Sequence, residues 1–330
     1  MSSLPVSAVL DELLTALHSA AQVLLHAPTG AGKSTWLPLQ ILAKAGLPGR
    51  IIMLEPRRLA AKNVAYRLAQ QLGEKTGQTV GYRMRAESKS GPQTRLEVVT
   101  EGILTRMLQQ DAELPGVSLV ILDEFHERSL QADLALALLL DVQQGLRDDL
   151  KLLIMSATLD NARLVQLLPT ASVVVSAGRS FPVDRQYPLL ASHQRLEDGA
   201  AAAVKRLLAE QPGSLLLFLP GVAEINRVLE RLNGEVPGDT DLCPLYGALP
   251  LAQRISQASM VQRADRAGRL EPGICWHLFA KERAECAAEQ ASPGILHSDL
   301  ASFWLELLQW GCHDAAQLTW LDRPPAAALA

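Results

Sequence analysis

The sequence is poor in cysteine and in aromatic residues, and it contains no long apolar run. The four cysteines show no Cys-x-x-Cys spacing, so neither a zinc site nor a disulfide framework is indicated, and a cytoplasmic location is predicted. The apolar stretch at residues 134–140 is far shorter than the roughly 20 residues that a membrane-spanning helix needs. Residues 1–20 lack the basic start of a signal peptide. These absences predict a soluble protein.

Neither sign of charge predominates, because 31 basic residues face 35 acidic ones and the net charge is only −4. This balance argues against a protein that coats nucleic acid indiscriminately, although it allows a narrow basic channel. With 330 residues, 48% of them apolar and 20% charged, the chain is expected to form two domains and a tail.

A glycine-rich run follows a short apolar segment near the N-terminus. It consists of Ala27, Pro28, Thr29, Gly30, Ala31, Gly32, Lys33, Ser34 and Thr35. Glycines let backbone N–H groups turn around phosphate oxygens, while Lys33 offers a charge to the terminal phosphates and Ser34 a hydroxyl to Mg²⁺. Ala27 stands where this pattern has glycine. The run predicts an ATP-binding loop, and an ordinary glycine turn is the alternative.

A second apolar run, at residues 120–122, ends in the acids Asp123 and Glu124. A buried parallel strand delivers carboxylates to the edge of a sheet in this way. We predict that Asp123 holds Mg²⁺ and that Glu124 polarises the water that attacks the γ-phosphate. His126 is predicted to couple this site to a neighbouring domain. An isolated acid pair is more often a solvated loop, but the preceding glycine-rich run favours a nucleotide hydrolase.

Four further segments resemble, in the same order, motifs of the Asp-Glu-x-His ATP-dependent RNA helicases of superfamily two, particularly a bacterial type. They are Pro-Arg-Arg at 56–58, Thr-Glu-Gly at 100–102, Ser-Ala-Thr at 156–158 and Gln-Arg-Ala-Asp-Arg-Ala-Gly-Arg at 262–269. The resemblance covers nearly the whole chain. It implies ATP hydrolysis with Mg²⁺, coupled to binding of single-stranded RNA or DNA. An ATPase or kinase unrelated to nucleic acid is disfavoured by the ordered set.

The resemblance also implies roles for individual residues. Arg57, Arg58 and Thr100 would hold the nucleic-acid backbone, so little base specificity is expected. Ser156 and Thr158 would link hydrolysis to unwinding. The implied catalytic set is Asp123, Glu124, His126, Gln262, Arg266 and Arg269, with the arginines acting as fingers from a second domain.

Apolar segments alternate with helical ones in the first half, which predicts a doubly wound parallel α/β sheet, RecA-like by resemblance. The predicted strands are 23–27, 51–54, 96–100, 119–122, 152–155 and 172–175. We predict an ATP-binding domain at residues 1–176, a shortened second RecA-like domain at 177–280 with a strand at 214–219, and a helical C-terminal segment at 281–330.

The chain departs from the family in its second half. The stretch between Tyr246 and Gln257 is far too short for the strands and the Thr-Asn-Ile-Ala-Glu-Thr-Ser motif that the family carries there. A domain that loses so much sheet struggles to build a core. Asp265 replaces a glycine, and its charge is predicted to weaken the fingers. Gly294 stands where the family tends to have glutamate.

Two functions are therefore expected. The first is an ATP-dependent RNA helicase of the Asp-Glu-x-His type. The alternative is an ATP- and RNA-binding module whose hydrolysis is impaired and which does not unwind RNA, because its second domain is incomplete.

Overall fold

The structure, a computed structural model, describes residues 4–157, 162–178, 181–188, 194–244, 256–268, 271–290 and 292–329. The chain divides into two compact units. One combines Met1–Arg179 with Ser292–Ala330, and the other is Ser180–Ala291, so the second unit is an insertion in the sequence of the first. Within the described residues, no helix is long and apolar enough to cross a membrane.

An eight-stranded sheet forms the centre of the first unit. Its strands are β1 (Gln22–His26), β2 (Arg50–Leu54), β3 (Val80–Met84), β4 (Glu87–Lys89), β5 (Leu96–Val99), β6 (Val117–Leu122), β7 (Lys151–Ser156) and β8 (Ser172–Val175). Their spatial order is β4-β3-β5-β2-β6-β7-β1-β8, and only β4 runs antiparallel to its neighbour. The predicted parallel α/β sheet is confirmed, as are its six predicted strands. The β3–β4 hairpin at the edge was not predicted.

Helices cover both faces of this sheet. They are α1 (Leu10–Ser19), α2 (Leu37–Lys44), α3 (Arg58–Gln71), α4 (Glu101–Gln110), α5 (Leu130–Gly145) and α6 (Ala162–Leu167). Successive strand residues point to opposite faces, so Val23 and Leu25 join one buried cluster with α1, α2 and α3. Leu24 joins the other cluster, with α4 and α5. The central strands are therefore apolar on both faces, apart from polar residues at or near their ends.

The carboxyl ends of three neighbouring strands define one edge of this sheet. Strand β7 lies between β6 and β1, and Leu122 pairs with Ile154 while His26 pairs with Ser156. Because the three strands are parallel, the segments that follow them emerge side by side. This edge brings the glycine-rich run, the acid pair and Ser156 into one neighbourhood.

The second unit has a smaller framework. Its described elements are β9 (Val183–Gln186), α7 (Leu196–Glu210), α8 (Val222–Leu232), α9 (Gln257–Ala264), β10 (Gly273–Trp276) and α10 (Lys281–Glu285). Strands β9 and β10 form a parallel pair. The strand predicted at residues 214–219 is wrong. Leu217 and Leu219 there pack against α7 and α8, but a strand needs a hydrogen-bonded neighbour, and the described residues supply none. The shortened stretch before Ser256 falls largely outside the described residues.

Candidate nucleotide site

The glycine-rich run turns sharply between β1 and α2. Gly30 and Gly32 have φ angles of 82° and 94°, a region that glycine adopts without the strain of a β-carbon. The Ala27 N–H donates to the Ser156 carbonyl at 3.1 Å and fixes the start of the turn. Within the described residues, the N–H groups of Gly30, Gly32, Lys33 and Ser34 have no protein acceptor. The turn therefore presents donors to an anion.

Lys33 extends from this turn into the interior. Its side chain is buried, and its Nζ atom has no hydrogen-bond partner in the described part of the chain. Burial lowers the pKa of Lys33, although the nearby carboxylates of Glu124 and Asp123 oppose that shift. A buried cation without a hydrogen-bonding partner is costly, so this ammonium is suited to receiving an anionic ligand.

Asp123 follows β6 and lies beside the glycine-rich run. Its Oδ1 atom accepts the Glu124 N–H at 2.8 Å, and the nearby Ser34 hydroxyl acts to lower the pKa of this carboxylate. The Oδ2 atom is buried and lacks a partner in the described residues. Burial, and then the charge of Glu124, raise the pKa of Asp123 to about 6. The site thus combines a hydroxyl, a carboxylate and an ammonium, the donor set that a magnesium-bound phosphate needs.

His126 joins the acid pair to the segment after β7. Its Nε2 atom lies 3.3 Å from Glu124 Oε2, and its Nδ1 atom accepts the Ala157 N–H at 3.3 Å. Because Nδ1 accepts, the ring proton of a neutral imidazole must be on Nε2, where it is donated to Glu124. Burial lowers the pKa of His126, which favours this neutral form. The contact links Glu124 to the Ser-Ala-Thr segment.

The next residues of the same loop contact two other predicted motifs. Glu127 forms a 2.6 Å ion pair with Arg57, the residue that precedes α3. Ser129 caps α5 by accepting the Ala132 N–H at 3.0 Å, and its hydroxyl donates to Glu101 at the start of α4. The loop from 124 to 129 therefore contacts the Pro-Arg-Arg and Thr-Glu-Gly segments as well as Ala157.

Thr100 and Arg58 are the other residues predicted to contact nucleic acid. Thr100 occupies the N-cap position of α4 without capping it through its side chain. Arg58 donates from Nη2 to the Arg85 carbonyl at 3.3 Å. Both residues lie at the carboxyl edge of the sheet, after β5 and β2 respectively.

Glu55 was missed by the sequence analysis. It directly follows β2, and its N–H donates to the Val99 carbonyl at 2.9 Å. Asp123 is anchored alongside, since its own N–H donates to the Leu54 carbonyl at 3.0 Å. Burial raises the pKa of Glu55 to about 9, and the nearby carboxylates of the site add to the shift. The sequence did contain a signal for this residue, because Glu55 directly follows an apolar strand, as Asp123 does.

The remaining predicted residues fall elsewhere. Gln262 lies on α9 of the second unit, and Arg266 lies just beyond its end on the surface. Thr158 and Arg269 lie outside the described residues. Asp265 has a φ angle of −64°, which any residue adopts, and lies 3.7 Å from Arg185. The glycine that the family has at this position is therefore not required by the backbone.

A parallel sheet with this glycine-rich turn and acid pair at its carboxyl edge is a RecA-like α/β domain. Residues 8–166, just under half of the chain, match the DEAD/DEAH box helicase family, so this part of the chain is a helicase domain of that family. The resemblance predicted from the motifs is thereby confirmed.

The bacterial type is also supported by individual relatives. The chain is 60% identical to the ATP-dependent RNA helicase HrpB of Escherichia coli over 100% of its length and 48% of that protein. It is 30% identical to the probable ATP-dependent RNA helicase DHR2 of Saccharomyces cerevisiae, covering 99% of this chain and 54% of DHR2.

Solved structures agree with these relatives. A crystal structure of the E. coli DExH-box NTPase HrpB matches 100% of this chain and 48% of its own, with a TM-score of 0.89 and 60% identity. A crystal structure of the E. coli DEAH/RHA helicase HrpB gives a TM-score of 0.94 over 99% of this chain and 49% of its own, also at 60% identity.

The chain spans about half the length of these relatives. The alignment with HrpB runs over 386 residues, whereas this chain has 330. HrpB therefore carries residues within the aligned region that have no counterpart here, as the short stretch before Gln257 predicts.

Proposed function

We propose that this chain is the ATP-hydrolysing, nucleic-acid-binding part of an ATP-dependent RNA helicase of the Asp-Glu-x-His type. The observation that carries the proposal is the meeting of two buried, unsatisfied groups, Lys33 Nζ and Asp123 Oδ2, beside the Ser34 hydroxyl. Each fits one part of a magnesium-bound triphosphate.

Each group has a distinct task in this proposal. The N–H groups of the glycine-rich turn and the Lys33 ammonium hold the phosphates. Ser34 and Asp123 hold Mg²⁺, which when bound neutralises charge on the reacting phosphate. Glu124 orients the attacking water, and the Nε2–H of His126 holds the Glu124 carboxylate in place.

Nucleic acid and the second unit complete the proposal. Arg57, Arg58 and Thr100 bind the backbone of single-stranded RNA or DNA, so sequence preference is weak. Ser156 and Thr158 couple hydrolysis to movement of the strand. Gln262, Arg266 and Arg269 of the second unit supply the groups that stabilise the transferring phosphate.

The alternative, a binding module with impaired hydrolysis, is favoured by one observation. The second unit has a small apolar cluster and a two-stranded described sheet, and its predicted strand at 214–219 is missing. A weakly built unit presents its arginines poorly, and the arginine finger is worth about 10³–10⁵ in rate.

A steady-state hydrolysis assay with and without single-stranded RNA separates these possibilities. RNA-stimulated hydrolysis that Glu124→Gln abolishes supports the helicase-type ATPase. Nucleotide and RNA binding without hydrolysis supports the binding module. Hydrolysis that RNA does not change contradicts both and indicates an ATPase of another kind.

A further inference from the structure

The C-terminal segment Ser292–Ala330 belongs to the core of the first unit. Its helix α11 (Ala301–Gln309) buries Phe303 and Leu307 in the cluster that contains α4 and α5. Trp320 is buried in the same cluster, with its ring centroid 5.5 Å from that of Phe303. The segment is therefore held firmly against one face of the sheet.

This segment contacts the loop of the acid pair through its backbone. The Gly294 N–H donates to the Arg128 carbonyl at 3.0 Å. A β-carbon on Gly294 would lie 3.1 Å from Leu130 N, a few tenths of an ångström closer than ordinary contact, and 3.4 Å from Arg128 O. Glycine at this position thus permits an approach that the glutamate expected from the family would obstruct.

A second contact is made by the Arg128 side chain. The guanidinium binds Asp133 in a bidentate manner, with Nε–Oδ1 and Nη2–Oδ2 distances of 3.0 and 3.1 Å. Its Nη2 atom also donates to Asp322 Oδ2 at 2.7 Å, and Arg163 forms an ion pair with the other oxygen of Asp322. The Arg128 and Asp322 side chains are only 12% and 10% exposed, so their ion pair is shielded from water, whereas Arg163 is half exposed.

The conformation of the loop makes such external contacts important. The short 3₁₀ turn Phe125–Glu127 is bounded by Glu124 and Arg128, whose φ angles are 50° and 49°. Non-glycine residues adopt this left-handed region only when surrounding contacts compensate for the strain. At the Arg128 end, Asp133, Gly294 and Asp322 provide those contacts.

We infer that Arg128 and Asp322 are positioning residues through which the C-terminal segment sets the geometry of Glu124 and His126 for hydrolysis. The inference rests on the proposed function and adds to it a role for residues nearly two hundred positions away. Without the contacts at Arg128 the loop loses one of its anchors, and Glu124 is held less precisely in the position that orients the attacking water.

Two variants test this role, one at the side-chain contact of Arg128 with Asp322 and one at its backbone contact with Gly294. Asp322→Ala removes the carboxylate, and Gly294→Ala adds a β-carbon that crowds the backbone at Leu130. We expect each to lower kcat for ATP by ~10-fold or more while KM changes little, because small misplacements of a catalytic group reduce rate rather than binding. The matched control is Trp310→Phe, which removes a 2.9 Å hydrogen bond to Asp141 on α5, away from the loop. Unchanged kcat in both test variants, or equal loss in the control, would overturn the inference.

Hydrogen exchange of the nucleotide-free protein supplies a readout that does not need hydrolysis. Asp322→Ala should speed exchange in residues 124–132, and Trp310→Phe should not. If the wild type proves inactive, the proposed function fails, and the exchange result alone decides: faster exchange supports the positioning role, and unchanged exchange refutes it.

Discussion

The guanidinium of Arg57 lies 2.6 Å from the carboxylate of Glu127, so the Pro-Arg-Arg segment is tied directly to the loop of the acid pair. Arg57 is largely exposed, whereas Glu127 is partly buried. A nucleic-acid phosphate that binds Arg57 therefore competes with Glu127 for the same guanidinium.

Glu127→Gln should test this connection. Losing the carboxylate frees Arg57 for phosphate, so affinity for single-stranded RNA should rise by up to about fivefold, since a pair this exposed is worth about 0–1 kcal/mol. Stimulation of hydrolysis by RNA should fall at the same time. Fluorescence anisotropy and steady-state rates measure the two effects, and Glu12→Gln, an exposed change on α1, is the control. Full RNA stimulation in Glu127→Gln would contradict the coupling.

Lys33→Ala should abolish nucleotide binding. Removing one member of a buried charged site costs about 3–5 kcal/mol, so we expect affinity to fall at least ~100-fold. Calorimetric titration with Mg·ADP measures the loss. Lys44→Ala, an exposed lysine at the end of α2, should bind normally. If Lys33→Ala bound Mg·ADP as tightly as the wild type, the glycine-rich run could not be the nucleotide-binding loop.

His126→Ala should lower kcat by about 10–100-fold, the usual effect of removing a residue that orients a catalytic group. The Glu124 carboxylate loses the donor at 3.3 Å, and Ala157 loses its acceptor. Nucleotide affinity should change little. His18→Ala, on the exposed side of α1, is the control for a lost imidazole. A normal kcat in His126→Ala would show that Glu124 needs no such support.

Glu55→Gln should change how stability depends on pH. The pKa of Glu55 is raised from 4.5 to about 9, mainly by burial, so the folded state favours the protonated acid. Its contribution to the free energy of unfolding is complete below pH 4.5 and is lost as pH rises towards about 9. At pH 8, which is about 3.5 units above the ordinary pKa, the variant should exceed the wild type in stability by of order 5 kcal/mol. Urea unfolding of both proteins without nucleotide at pH 5 and pH 8 measures this. The same stability difference between variant and wild type at both pH values would refute the prediction.

Asp265→Gly and Asp265→Asn should both raise any residual hydrolysis. Both remove the negative charge near Arg266, while the φ angle of −64° means that the backbone accepts either residue. A gain in Asp265→Gly alone would indicate backbone freedom rather than charge. If neither variant is faster, the shortened second unit limits the rate.

The sequence predicts the first unit well because its strands are central and apolar. Strands β1, β2, β6 and β7 are buried on both faces and read as continuous apolar runs. The edge hairpin was missed because β3 contains Gly81 and Arg83, and β4 is three residues long. The strand predicted at 214–219 failed because an apolar run cannot reveal whether a neighbour exists to pair with it.

The site was predictable only in part. Glycines, a lysine and paired acids follow strands, and that pattern is visible in one dimension. The Arg57–Glu127 pair joins residues 70 positions apart, and the Arg128–Asp322 pair joins residues 194 apart. No periodicity marks such pairs, because only the fold brings them together. Whether Gln262, Arg266 and Arg269 act on the nucleotide stays a prediction.

The interrupted first unit constrains how this protein is made. Residues near 303 and 320 fill a core that otherwise consists of residues before 179. During synthesis the ribosome must therefore release the entire inserted unit before that core can close. Until then the apolar surface beneath α11 stays exposed, which makes the nascent chain prone to aggregation at this stage.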